Sequence, residues 1–384
     1  ESARHERGST PQALNADIMG ARNVEAVLKI VKEQGESFNF VNVATALNLL
    51  TKVVNRRAMD QPARMLEGKR IGADPRFAQL LLLVSEHCPR FEAQACANVL
   101  NGLAILHTDL GMAQAVDAGL AARLAQRVEQ QAGNMNAQNV GNTLNALGRI
   151  ELAAAAMSAK GWAALGKRAE RTSPKMDPQH VANSLNALSR LKESAAVAMS
   201  AKGWTALGKA VERTAPEMNN QHVGNTLNAL SRITAAQAAM SAAGWTALGE
   251  AVDRTAPKME PQHVSNALNA FGKLEAAAAA MTPAGWAALG KATGRTAPKM
   301  VPQAVSNTFN AMSKLQVARA TISAWEWAAL GKAAERTAPE MSPQAVANTL
   351  NAFGSMEAEG PGLSASGWIA LGKAAERTAP DMKA

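Results

Sequence analysis

Residues 158–191 read SAKGWAALGKRAERTSPKMDPQHVANSLNALSRL. Two helices are written in this stretch. Ser158 suits an N-cap, and the helix after it, helix A, runs to about Arg171, where Thr-Ser-Pro at 172–174 stops it. Asp177 suits the next N-cap. Pro178 then stands at the first helical position, where a missing N–H does no harm. Met176 before this cap and Val181 after it have the spacing of a hydrophobic staple. At roughly 100° per residue, Val181, Leu185, Leu188 and Leu191 of helix B fall on one apolar face. Gln179, Asn183, Asn186 and Arg190 form a narrow polar stripe opposite. In helix A, Trp162, Leu165, Gly166 and Ala169 share the buried side, with Lys167 and Arg171 away from it.

The stretch recurs along the chain. Tryptophan stands at 162, 204, 245, 286, 327 and 368, spaced 42, 41, 41, 41 and 41. Gln138, Gln179, Gln221, Gln262, Gln303 and Gln344 keep the same period, as do methionines 135, 176, 218, 259, 300 and 341. Upstream, FNFVNVATALNLL (38–50) and FEAQACANVLNGL (91–103) align with MNAQNVGNTLNAL (135–147), and Phe77 and Ala121 fall at the Trp position. Neither helix buries its apolar face alone, so successive repeats must stack. The expected fold is all-α: a right-handed α-solenoid of two-helix repeats of about 41 residues. A flexible N-terminal segment is expected over 1–20, degenerate repeats over 21–134, and regular 41/42-residue repeats over 135–384. The array is expected to be truncated at DMKA or to continue in a longer protein. Gly166 recurs as Gly208, Gly249, Gly290, Gly331 and Gly372; a mid-helix glycine costs roughly 1 kcal/mol, so close backbone approach is expected there. Glu260 and Val301 stand where Asp177 caps, so those two helix entries are expected to be weaker.

Composition agrees with a repeat array. Aromatics are 4% of 384 residues, with no Tyr, so alanine and leucine carry the apolar content. Lys+Arg 40 against Asp+Glu 31 gives net +9, which permits a polyanionic partner. Two cysteines, Cys88 and Cys96, exclude a disulfide scaffold and a four-cysteine zinc site. No run of apolar residues is long enough for a membrane span. The chain starts with Glu and carries no signal-peptide pattern; a reducing intracellular compartment is expected, including a host cell after secretion.

MDPQHVANSLNALSRL (176–191) and MSPQAVANTLNAFGSM (341–356), with FNFVNVATALNLLTKV (38–53), resemble octotricopeptide-type repeats, the helical-pair arrays related to those preceding RAP domains. That resemblance implies an α-solenoid and RNA binding. The period here is 41 residues, against about 38 in that family. AMSKLQ (311–316) and ALSRLK (187–192) are similar to the tetrapeptide of SKWP-type bacterial effectors, with Leu for its Trp and Gln or Lys for its Pro. Their repeats, related to HEAT and armadillo repeats, imply a solenoid and a host-protein partner.

The candidate binding residues are the helix B stripe. They comprise Gln138, Asn142, Asn145 and Arg149; Gln179, His180, Asn183, Asn186 and Arg190; and Gln221, His222, Asn225, Asn228 and Arg232. They continue as Gln262, His263, Asn266, Asn269 and Lys273; Gln303, Asn307, Asn310 and Lys314; and Gln344, Asn348 and Asn351. Asparagine has no helix propensity to explain its recurrence. Either an inter-repeat hydrogen-bond ladder or contact with bases or a peptide backbone accounts for it. The histidines are either ordinary residues of the first turn or a ligand-contacting position that varies between repeats. The basic column either compensates helix dipoles or meets phosphates. The helix A arginines 171, 213, 254, 295, 336 and 377 sit in a last turn beside an acidic residue in most repeats and read as exposed paired charge. GWAALGKR (161–168) and its copies imitate a phosphate loop, but lack the final Ser or Thr and lie mid-helix. No catalytic constellation is placed by the pattern, and no cofactor or metal is implied. The expected function is sequence-selective binding of single-stranded RNA along the helix B groove; the alternative is a peptide-binding or protein-binding scaffold of a bacterial effector.

Overall fold

The computed structural model describes residues 10–55, 59–191, 199–356 and 363–381, all helix, turn and loop, with no strand among them. The fold is an all-α solenoid. Lys192, the last residue of ALSRLK, residues 1–9 of the segment 1–20 and most of DMKA lie outside the described residues. The chain divides into two compact units: 1–176 with 190–203, and 177–189 with 204–384.

In the second unit the B helices Asn220–Leu230, Pro261–Phe271, Pro302–Lys314 and Pro343–Met356 pack each on the next. The A helices Ala242–Thr255, Pro283–Thr296, Ala324–Thr337 and Ala365–Thr378 form the other layer in the same order. Leucine, valine and methionine fill the space between the layers. Val223, Val264, Val305 and Val346, and the staple residues Met218, Met259, Met300 and Met341, are fully buried. The first unit repeats the plan with B helices Phe40–Asn55, Ala93–Asp109 and Ala137–Leu147. Phe77 and Ala121, at the Trp position, are buried there as well. Part of the stretch expected to be flexible is a helix, Pro11–Gly20, which packs on Phe40–Asn55. Leu14 and Ile18 are fully buried under it, and Asn42 Nδ2 donates to the Pro11 carbonyl at 2.9 Å.

Between layers the chain is more helical than a pair of helices requires. A 3-10 turn joins each A helix to its B helix, as at Ala256–Lys258, where Pro257 cannot continue an α-helix. A five-residue helix joins B to the next A at Glu151–Ala155, Thr234–Ala238, Glu275–Ala279 and Gln316–Ala320. One alanine of each, such as Ala236 or Ala277, is buried.

These short helices explain the recurrent glycine. A Cβ on Gly208 would lie 2.6 Å from the Ala239 carbonyl oxygen, and on Gly249 3.0 Å from that of Ala280. Gly372 has nothing within 4 Å. The glycine inside the phosphate-loop look-alike therefore serves helix packing.

Candidate functional site

The B helices present one polar face. In the second unit Gln221, Gln262, Gln303 and Gln344 are exposed. Asn225, Asn228, Asn266, Asn269, Asn307, Asn310 and Asn348 are half-buried, and Asn351 of the last B helix is exposed. The half-burial comes from small residues one position before the first asparagine. Gly224, Ser265 and Ser306 are buried against the neighbouring B helix, and a Cβ on Gly224 would meet the His263 backbone and side chain at 3.4 Å.

The amides do not form the ladder that was one of the two readings. Asn145 Nδ2 reaches Asn101 Oδ1 at 3.5 Å in the first unit. Among the described residues, the side chains of Asn225, Asn228, Asn266, Asn269, Asn307 and Asn310 make no hydrogen bond to protein. Each half-open amide thus keeps two donors and a carbonyl for a ligand or water. Between Pro302–Lys314 and Pro343–Met356 the face sinks into a groove of 440 Å³, with Gln303 and Asn307 on one wall and Gln344 and Asn348 on the other.

Below the amides run the cations. Arg232, Lys273 and Lys314 are exposed and make no ion pair among the described residues. Partial burial holds the Lys273 amine below its ordinary value, and the Arg232 and Lys314 charges on either side push it the same way. Three like charges so placed attract an anion. Arg149 differs: it pairs with Asp109 and Thr108 of the preceding repeat, so its charge is already met. The sequence pattern missed this because Asp109 belongs to a degenerate repeat. Arg190 is exposed. Gln138 and Gln179 are exposed; Asn142, Asn145, Asn183 and Asn186 are half-buried, as in the later repeats.

The histidines have a structural use. His222 Nδ1 accepts the Asn219 N–H at 3.5 Å and His263 Nδ1 accepts that of Glu260 at 3.3 Å, each completing a capping box. Asn139 fills the same position and the same role for Asn136. His180 Nδ1 lies 2.9 Å from Asp177 Oδ1. Burial lowers the affinity of His222 and His263 for a proton. Ala304 and Ala345 take this column in the later repeats, and Val301 has no side-chain cap.

Arg254, Arg295, Arg336 and Arg377 are exposed, as expected, but bond to backbone carbonyls of the preceding repeat rather than to a carboxylate. Arg254 donates to the Met218 and Ala215 carbonyls, both at 2.9 Å. Arg295 reaches Met259 O at 2.6 Å, Arg336 reaches Met300 O at 2.7 Å, and Arg377 reaches Met341 O at 2.7 Å. Arg127 does the same to Phe91 O in the first unit, and Arg168 to Met135 O. Each ties its repeat to the A–B turn of the one before. The acidic neighbour works forward instead: Glu170, Glu212 and Glu335 accept from the N-cap hydroxyls of Ser200, Ser241 and Ser364, at 3.0, 2.6 and 3.0 Å. The regular spacing of these charges could have signalled a repeat-to-repeat role, since solvent-exposed charge need not keep register.

Tryptophan is kept off the polar face. Trp162, Trp204, Trp245 and Trp286 are buried between layers. Cys88 and Cys96 are buried free thiols, pushed up by burial to about 11 and about 12. The described residues contain no cluster of three metal-ligating side chains and no helix long and apolar enough to cross a membrane.

A family model described as a protein of unknown function (DUF1601) matches residues 118–144, 206–227 and 329–350. The last two segments each start within helix A and run through the 3-10 turn into helix B, so they contain the Glu-Arg-Thr of the interlock and the first amides of the polar face. No curated protein matches. Among solved structures, the chain is similar to one described as a homology model of the full-length AP-3 complex in an intermediate open conformation. The identity is 10%, the TM-score 0.29, and the coverage 99% of this chain and 92% of that one. It is similar to a circular tandem repeat protein with novel repeat topology at 10% identity, TM-score 0.30, covering 93% and 85%. It is also similar to the pentatricopeptide repeat protein PPR10 from maize at 12% identity, TM-score 0.13, covering 97% and 72%.

Proposed function

We propose that the B-helix face binds single-stranded RNA selectively and that the chain is a binding protein, not an enzyme. The observation that carries this is the recurrence, on one face of the second unit, of Asn225, Asn228, Asn266, Asn269, Asn307 and Asn310 without protein partners among the described residues, above the unpaired Arg232, Lys273 and Lys314. Amide side chains offer the donor and acceptor pairs that base edges present, and the cations suit phosphates. The same arrangement repeated along a stack suits serial binding of a polymer better than one reaction centre.

The test compares two triple charge reversals of equal net charge. One changes Arg232, Lys273 and Lys314 to Glu. The other changes Lys209, Lys291 and Lys332, exposed on helix A one turn before Arg213, Arg295 and Arg336, with the melting temperature followed in both variants. Filter binding of a random single-stranded RNA pool should be lost only in the first. The log–log salt slope should fall by about 2, at about 0.7 for each lost phosphate contact. Equal loss in both would leave only long-range attraction by net charge.

A second reading, an extended peptide of a partner protein such as a host protein met by an effector, is favoured by the placement of the tryptophans on helix A, which leaves the B-helix face without the usual tryptophan stacking platforms. Absence of RNA binding at moderate salt would select it.

A further inference from the structure

At its N-terminal end the polar face is closed into a pocket. Helix Pro11–Gly20 packs on the first B helix, Phe40–Asn55, and its Asn15 and Met19 supply a third wall to the groove between that helix and the second, Ala93–Asp109. The cavity has a volume of 470 Å³ and is lined from all three helices. Its chemistry differs from the open grooves further along. The first B helix carries Phe40, half-exposed, beside Val41 and Leu49; helix Pro11–Gly20 adds Met19, whose side chain is 63% exposed. Phe40 gives aromatic surface that the groove between Pro302–Lys314 and Pro343–Met356 lacks. Around it stand Asn48 and Asn98, the local members of the asparagine column, and Gln94 of the glutamine column. Asn15 and the carboxylate of Glu92, which makes no capping hydrogen bond, line the same pocket. Lys52, in the cation column, stands at the same cavity.

We infer that this pocket holds one nucleobase bearing an exocyclic amine, the terminal base of the bound strand. A base needs two things at once: flat apolar surface against its faces, and donors and acceptors around its edge. Phe40 with Met19 and Val41 supplies the first, and the amides of Asn15, Asn48 and Asn98 supply the second. The Glu92 carboxylate, an acceptor only, specifies a donor at that point of the edge, which adenine, cytosine and guanine offer through an amino group. Lys52 meets the phosphate that links this nucleotide to the next. The pocket rests on the RNA reading for the strand it anchors, but it is tested without a polyanion.

The probes are the four uncharged nucleosides, each titrated against the whole chain by ligand-observed NMR, with ribose and N-acetyl-phenylalaninamide as controls. Saturation should pass to base protons of adenosine, cytidine or guanosine, more weakly to uridine, and to neither control. Phe40→Leu should weaken binding about tenfold, the usual scale of one base–aromatic contact. Asn15→Leu should weaken it severalfold. Because that change removes a buried polar atom with no partner, its melting temperature should hold or rise, which separates lost binding from lost folding. Met19→Gln, at an exposed position, gives a second variant with no folding cost.

No nucleoside binding at millimolar concentration overturns the inference. So does binding unchanged in all three variants, tightest binding of uridine, or equal binding of N-acetyl-phenylalaninamide. The outcome is separable from the RNA reading. Nucleosides bound while the Arg232, Lys273 and Lys314 reversal leaves RNA binding intact would retain the pocket and remove the groove. RNA binding that depends on those cations, with no nucleoside bound, would do the reverse.

Discussion

In one repeat the acidic interlock is reversed, and that reversal is open to a direct energetic test. Elsewhere a carboxylate at the end of one helix A meets a glycine at the start of the next, as Glu212 meets Gly244 and Asp253 meets Gly285. At the following junction the order is exchanged: Gly294 stands in the carboxylate column and Glu326 in the glycine column. Glu326 is 7% exposed and accepts the Ser323 N–H at 2.6 Å, capping the helix from within. A Cβ on Gly294 would lie 2.5 Å from Glu326 Cγ and 2.6 Å from Trp325 Cζ3. Gly294→Glu alone should therefore overpack the junction, at about 1–3 kcal/mol. Glu326→Gly alone loses a charge-assisted bond worth about 1.5–3 kcal/mol. The double variant re-creates the neighbouring junction and should cost at most about 1 kcal/mol. Trp325 is 63% exposed, so the cycle belongs in a Trp325→Ala background, where its ring does not obstruct the new side chain. Urea unfolding followed by tryptophan fluorescence and circular dichroism gives the four stabilities, provided the two probes coincide. A coupling of about 2 kcal/mol in favour of the double variant is expected. Additive losses would refute the idea that the two positions share one carboxylate site.

Further outcomes follow from the same geometry. Arg295→Met or Arg336→Met removes a charged donor from a carbonyl of the preceding repeat and should cost about 1.5–3 kcal/mol by urea denaturation. Gly208→Ala should destabilise, because its Cβ would meet the Ala239 carbonyl, while Gly372→Ala should stabilise by about 1 kcal/mol through helix propensity. Burial depresses the His222 and His263 proton affinities, so the unfolded chain binds protons the folded chain refuses. Stability should then fall as pH drops below about 6.5. His222→Asn with His263→Asn, which keeps the capping box as Asn139 does, should remove that part of the pH dependence.

The repeat, its two principal helices and the face turned away from the core are legible in the residues alone. Those are local matters: the Trp, Met and Gln columns carry the period, Asp177 and Pro178 mark a helix start, and the leucines of helix B define a side. What each polar column does was decided only by the tertiary structure. Regular spacing looks the same whether a side chain reaches the next repeat or the solvent. Arg254 and Arg295 turned out to grip the preceding turn, Arg149 to be paired by Asp109, and the half-buried asparagines to lack the ladder their regularity suggested. A hydrogen bond between residues some 36 to 40 positions apart depends on how closely helices approach. That approach is set by small residues such as Gly208 and Gly224 on the partner surface, and no single helix's pattern contains it.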